Sequence, residues 1–180
     1  MADLKISDLT SIAATSARGD LLHLIDDPTG TPINKKVTIG EMMNALAVPV
    51  KLSAGTQALT EATHAGRMLI VPDQTGSSVL TLPTPKIGMT FNFTYGGIAA
   101  DVQNTAISAG TDNSLFFLGG LYHLDIDGNT SASVFSDNDS NELITLVTPQ
   151  NFSILCTGIS ATTWQLSGFV CSATVPTIAD

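Results

Sequence analysis

The chain has 180 residues, of which 43% are hydrophobic and only 13% charged, with a formal net charge of −9. The apolar share excludes a disordered chain. Residues 52–180 hold Arg67 and Lys86 against ten acids, a balance of −8, and so weigh against a phosphate-seeking surface and direct nucleic-acid binding.

Polarity comes instead from 39 Ser and Thr residues. A Thr-rich, Lys-poor composition favours strands over helices. The opening "MADLKISDLT" has no apolar segment, and no run of 18 apolar residues follows it. The expectation is therefore synthesis in a cytosol, without a secretion signal or a membrane partner. Cys156 and Cys171 lie in strand-like stretches and belong to no metal-binding motif. They are expected as two buried thiols of the core, with a disulfide as the alternative.

In chain order, Arg18-Gly19-Asp20 comes first. Asp20 runs straight into the strand-like "LLHLI", so the tripeptide reads as a turn before a strand and not as an exposed adhesion loop. "DLLHLIDD", the turn "DPTGTP" and "KKVTI" form a strand, a turn and a strand. Thr38 and Glu41 then have the spacing of a capping box opening a short helix, "GEMMNAL", that stops before Pro49. This small unit is assigned to residues 1–50. "AVPVKLSAGTQALTEATHAG" reads as an extended connector into the second unit, residues 51–180, with pairing of part of it as a strand the alternative.

From Arg67 onward short strands follow one another, separated by Gly, Pro, Asn and Asp, so that "SLFFLGG" and "LYHLDID" are expected as two strands, and "TTWQLSG" and "FVCSAT" as two more. "TFNFTY" sends Phe91, Phe93 and Tyr95 to one face and Asn92 and Thr94 to the other. In "TTWQLSGFV", Trp164 and Leu166 share a phase. The expected fold class is mainly β: an antiparallel β-sandwich or jelly roll of about eleven short strands, preceded by the small strand–turn–strand–helix unit.

Signatures of chemistry are sparse. GxSxG, GxGxxG, P-loop and HExxH patterns are absent, so no enzyme activity and no cofactor are expected. His23, His64 and His123 are isolated in sequence and expected at the surface or on edge strands. Asp125, Asp127, Asp137 and Asp139 lie in oxygen-rich stretches that suggest Ca²⁺. Counted from Asp125, however, the sixth and twelfth places are Thr130 and Ser136, and counted from Asp137 the sixth is Glu142. Neither register supplies the required Gly and Glu, so hairpin turns are the favoured reading.

The segment "KISDLTSIAATSARGDLLHLIDDPTGTPINKKVTIGEMMNAL" resembles a unit that opens many virion proteins of tailed bacteriophages. "LTLPTPKIGMTFNFTYGG", "LFFLGG" and "TTWQLSG" are similar to strand motifs of small decoration and fibre domains in the same phages. The resemblance implies a capsid decoration (cement) protein, a homotrimer on the outer surface of the phage head whose partner is the major capsid protein. It also implies Lys35, Lys36, Met42 and Met43 of the N-terminal unit as candidate capsid contacts. The alternative is a short head fibre, tail fibre or spike that binds host-surface glycans; the absence of a repeated shaft favours the shell protein.

Overall fold

A computed structural model describes residues 21–26, 33–98, 101–111 and 114–180. The chain divides into two compact units, residues 1–47 and 48–180. Arg18, Gly19 and Asp20 lie outside the described residues.

In the first unit, β1 (Leu21–Asp26) and β2 (Ile33–Thr38) form an antiparallel pair, followed by α1 (Ile39–Ala47). The capping box is present. The Glu41 amide donates to Thr38 Oγ1 at 3.0 Å, while the Thr38 amide and hydroxyl donate to Glu41 Oε2 at 2.8 and 2.9 Å. These bonds hold the Glu41 carboxyl below its usual range, the Thr38 amide being the larger cause.

The second unit is a sandwich of two mixed sheets. Its elements are β3 (Val50–Lys51), β4 (Gln57–Ala58), α2 (Glu61–His64), β5 (Met68–Val71), β6 (Ser78–Thr81), β7 (Thr90–Tyr95) and β8 (Thr105–Ser108). Then follow β9 (Phe116–Asp125), β10 (Ser131–Phe135), β11 (Leu143–Leu146), β12 (Asn151–Gly158), β13 (Thr163–Ser172) and β14 (Thr177–Ala179). The larger sheet has the order β10-β9-β13-β12-β7-β5-β3, and the smaller β14-β11-β8-β6-β4.

This order corrects the expectation of purely antiparallel pairing. From β3 to β8 successive strands alternate between the two sheets, so within this stretch sheet neighbours are second neighbours in the chain. They point the same way: β3 with β5, β5 with β7, β4 with β6, and β6 with β8 are parallel. Parallel neighbours need a crossover, and here the crossover is a strand of the opposite sheet. Antiparallel pairing enters with β10, β11, β12 and β14, while β13 lies parallel to β9. The stretch read as a connector is part of this winding, since β3 and β4 contribute one strand to each sheet.

The core fills the space between the sheets. Leu69, Phe91, Phe93, Ile107, Phe117, Ile144, Phe152 and Trp164 are buried there. Trp164 meets the Phe91 ring edge-on at 5.6 Å between centroids. Alternation explains why: Phe91 and Phe93 face inward while Asn92 and Thr94 face outward, as their period of two requires.

Two pairs of expected strands are single long ones. β9 and β13 each run ten residues, through Gly119–Gly120 and Gly168 respectively. Gly119 (φ +95°) and Gly168 (φ +142°) are in conformations other residues rarely adopt, and Leu166 lies opposite Gly119 in the parallel register. The glycines bend two neighbouring strands together instead of ending them.

Candidate interaction surface

The sandwich separates its charges from its flat faces. Within the strands of the two large sheets only Lys51, on the edge strand β3, and Asp125, the last residue of β9, carry Asp, Glu, Lys or Arg side chains. The other described carboxylates of this unit lie in links or in α2. Asp73, Asp101, Asp125 and Asp127 lie at one end of the sandwich, where β5, β7, β9 and β13 finish. Glu61, Asp137, Asp139, Glu142 and Asp180 lie at the other.

The outward face of the larger sheet is consequently built from Ser, Thr, Asn, Gln and apolar side chains. Strand register lines these up in rows. One row crosses six strands: Ile70, Thr94, Ser153, Phe169, Tyr122 and Ser133. Beside it run Met68, Asn92, Leu155 and Ser167, and on the other side Asn151, Cys171, Leu124 and Ser131. Tyr122 is 46% exposed, Met68 43%, Leu155 38% and, on β10, Phe135 70%. Tyr122 is held by its hydroxyl, 2.6 Å from Ser131 Oγ.

The two cysteines fall on opposite sides of this sheet. Cys156 is in the core, where burial pushes its thiol well above the usual range; Cys171 is half-buried on the outward face. Both are free thiols, so the expected pair of core cysteines is one core residue and one face residue. Odd and even positions of antiparallel partners decide the difference: Asn151 pairs with Cys171, and Cys156 is five residues further on, in the opposite phase.

The four aspartates proposed from sequence for Ca²⁺ are not brought together. Asp125 Oδ1 accepts the amides of Asp127 and Gly128, and its Oδ2 the Thr130 hydroxyl. Asp137 Oδ1 accepts the amides of Asp139, Ser140 and Asn141, and its Oδ2 the Ser140 hydroxyl. Asp127 and Asp139 therefore contribute amides to these turns, which are closed by local hydrogen bonds. Among the described residues no group of three or more His, Cys, Asp or Glu side chains is disposed to hold a metal. The Asp137 turn also holds Asp180, whose Oδ1 accepts Asn141 Nδ2 at 3.1 Å and lies 2.8 Å from Ser140 Oγ, sharing that hydroxyl's one proton with Asp137.

These bonds, the Asp139 and Ser140 amides foremost, hold the Asp137 carboxyl far below the ordinary carboxylate range. A folded-state pKa below the unfolded one stabilises above the unfolded value of about 4, and the gain is lost as pH falls below it. Wild type should therefore exceed Asp137→Asn in thermal midpoint at neutral pH, and the gap should shrink between about pH 4 and pH 2. A gap independent of pH would refute this role for the carboxylate.

His123 corrects another expectation. It is 1% exposed inside the larger sheet, and its Nε2 lies 2.9 Å from the Ser172 carbonyl, to which it donates. Its inward phase on a long central strand, hidden in sequence by Gly119–Gly120, accounts for the burial. His64 closes the short helix α2, its Nδ1 accepting the Thr60 amide at 3.0 Å. The His23 side chain lies outside the described residues.

A cleft of about 380 Å³ lies at one end, lined by Glu61, Ala65, Gly66, Lys86, Ile87 and Met89 among others. Lys86 and Glu61 pair across it, both well exposed. In the first unit Lys36 is exposed on β2 and Met42 and Met43 are 39% and 49% exposed on α1, while Lys35 lies on β2 with its side chain outside the described residues. Among the described residues no helix is long and apolar enough to cross a membrane.

No protein-family model matches the chain. No curated protein matches it either.

Proposed function

We propose that this chain is a structural virion protein, a decoration protein that covers the outer surface of a phage head as a homotrimer and reinforces the shell. The observation that carries the reading is the placement of charge. In a chain of net charge −9 the two broad sheet faces of the second unit carry almost no charge, and the described carboxylates of that unit gather at its two ends. A protein packed laterally among copies and shell subunits needs wide neutral contact faces and little else. Its acidic ends keep it soluble before assembly. The resemblance of residues 5–46 to phage virion openers supports the same reading and makes the N-terminal unit the docking piece, through Lys35, Lys36, Met42 and Met43.

The test is made on particles. Virions lacking this protein, heated or osmotically shocked beside complete ones, should release DNA at a lower temperature; equal survival would sink the cementing role. Copy number separates this from the fibre or spike reading, since hundreds of copies per particle belong to a shell and a handful to an appendage.

A further inference from the structure

We infer that the outward face of the seven-stranded sheet is the surface on which a second copy of this chain seats, an assignment that rests on the homotrimer reading above. Three observations favour this face and this occupant. First, the exposed large apolar side chains of the strands gather here: Met68, Leu155, Tyr122 and Phe135. The outward face of the smaller sheet offers smaller groups, such as Val79, Ala106, Thr145 and Thr177 in one row. Exposed apolar groups in register on one face mark a contact surface more than scattered ones do.

Second, the occupant is selected by charge. Two copies of a chain at −9 repel wherever their acidic ends approach. Apart from Lys51 at its margin, the strands carry no formal charge on this face, so a like copy meets no repulsion there. A basic partner would find no carboxylates to pair with.

Third, the face is broad enough to hold two neighbours. Seven strands spaced by about 4.8 Å, and about 20 Å long, present roughly 700 Å² on each copy, which a ring of three divides between two contacts.

The apolar groups form two patches on this face. Tyr122 and Phe135 lie at the β9–β10 side and Met68, Ile70 and Leu155 at the β5–β12 side, with Asn92 and Thr94 on β7 inside the second group and Phe169 and Ser167 on β13 between the two. A patch meeting its own kind produces a dimer, whereas a closed ring of three requires two different patches. The Phe135 side of one copy therefore meets the Leu155 side of the next.

Cys171 supplies a built-in reporter, because it lies on this face and Cys156 does not. Purified protein at about 10 µM should have the mass of three chains by light scattering. Its Cys171 should react with a thiol reagent on the order of tenfold more slowly than in single chains. Leu155→Asp, placing an unpaired carboxylate in the contact, should give single chains with fast Cys171 labelling and an unchanged circular dichroism spectrum. Phe135→Ser, at the exposed edge, should do the same without adding charge. Single chains in the wild type would overturn the inference. So would trimers that survive both substitutions but dissolve with Thr145→Asp on the opposite sheet. The virion reading fails separately: trimers that form as described while particles lacking them survive heat unchanged would refute shell reinforcement and leave this contact standing.

Discussion

Replacing Trp164 by Ala should lower stability by about 3–5 kcal/mol, the cost of emptying a large buried aromatic site. Trp164 is fully buried, stacked edge-on to Phe91, and faces Gly158 on β12 and Phe117 on β9 in the strand register. No smaller neighbour can collapse into the space, because both sheets are fixed by their hydrogen bonds. For a unit of this size each kcal/mol shifts the midpoint by about 2–4 °C, so a fall of about 10 °C is expected, read by circular dichroism. The indole Nε1 is buried without a hydrogen-bond partner. Trp164→Phe should therefore cost less than half as much, since it removes volume but breaks no polar contact. Equal losses for Ala and Phe would show that a hidden partner holds the indole nitrogen.

The second large effect belongs to Gly168. A Cβ added there would lie 2.2 Å from the Ser153 carbonyl oxygen, a backbone atom of the adjacent strand, at φ +142°. Positive φ alone costs about 1–3 kcal/mol for a residue with a side chain, and the overlap adds to it. Gly168→Ala should cost about 3 kcal/mol or more and lower the midpoint by about 6–12 °C. Gly76 is the control: it has open space around the same added atom and no positive φ, so Gly76→Ala should be neutral or slightly stabilising. Comparable midpoints for the two variants would contradict the strain argument.

Much of the fold was legible in the sequence because alternation is a local property. Phe91, Phe93, Trp164 and Leu166 could be placed in a core from their period, and Thr38 with Glu41 announced the start of α1. Pairing partners were not legible, because direction depends on which sheet a strand joins. The turns after β5, β6 and β7 carry the same Gly and Pro signals as hairpin turns, yet lead to the opposite layer. Glycine misled in a second way. "FFLGGLYHLD" and "WQLSGFVCS" read as paired short strands because Gly normally marks a break, whereas Gly119 and Gly168 are bends within long strands.

The candidate surface was the least legible feature. Met68, Tyr122, Leu155 and Phe135 are far apart in sequence, and only the register across β5, β7, β12, β13, β9 and β10 puts them on one face. Composition shows that the chain is poor in charge, but it cannot say where the charges collect. The Asp-rich segments drew attention as possible ligand sets and proved to be turns, because an Asp carboxylate binds the amides just downstream as readily as an ion.

The winding of β3 to β8 also bears on how the chain is made. β7 lies between β5 and β12, and β8 between β6 and β11. As the ribosome releases the growing polypeptide, the coil up to β8 emerges with one side of each sheet unsealed. Its seals, β11 and β12, are synthesised only after the long β9–β10 hairpin. Until Ile154 reaches Phe93 and Ile144 reaches Ile107, those hydrophobic edges have no partner within their own molecule. Nascent chains crowded on one message are then at their most vulnerable to pairing with each other.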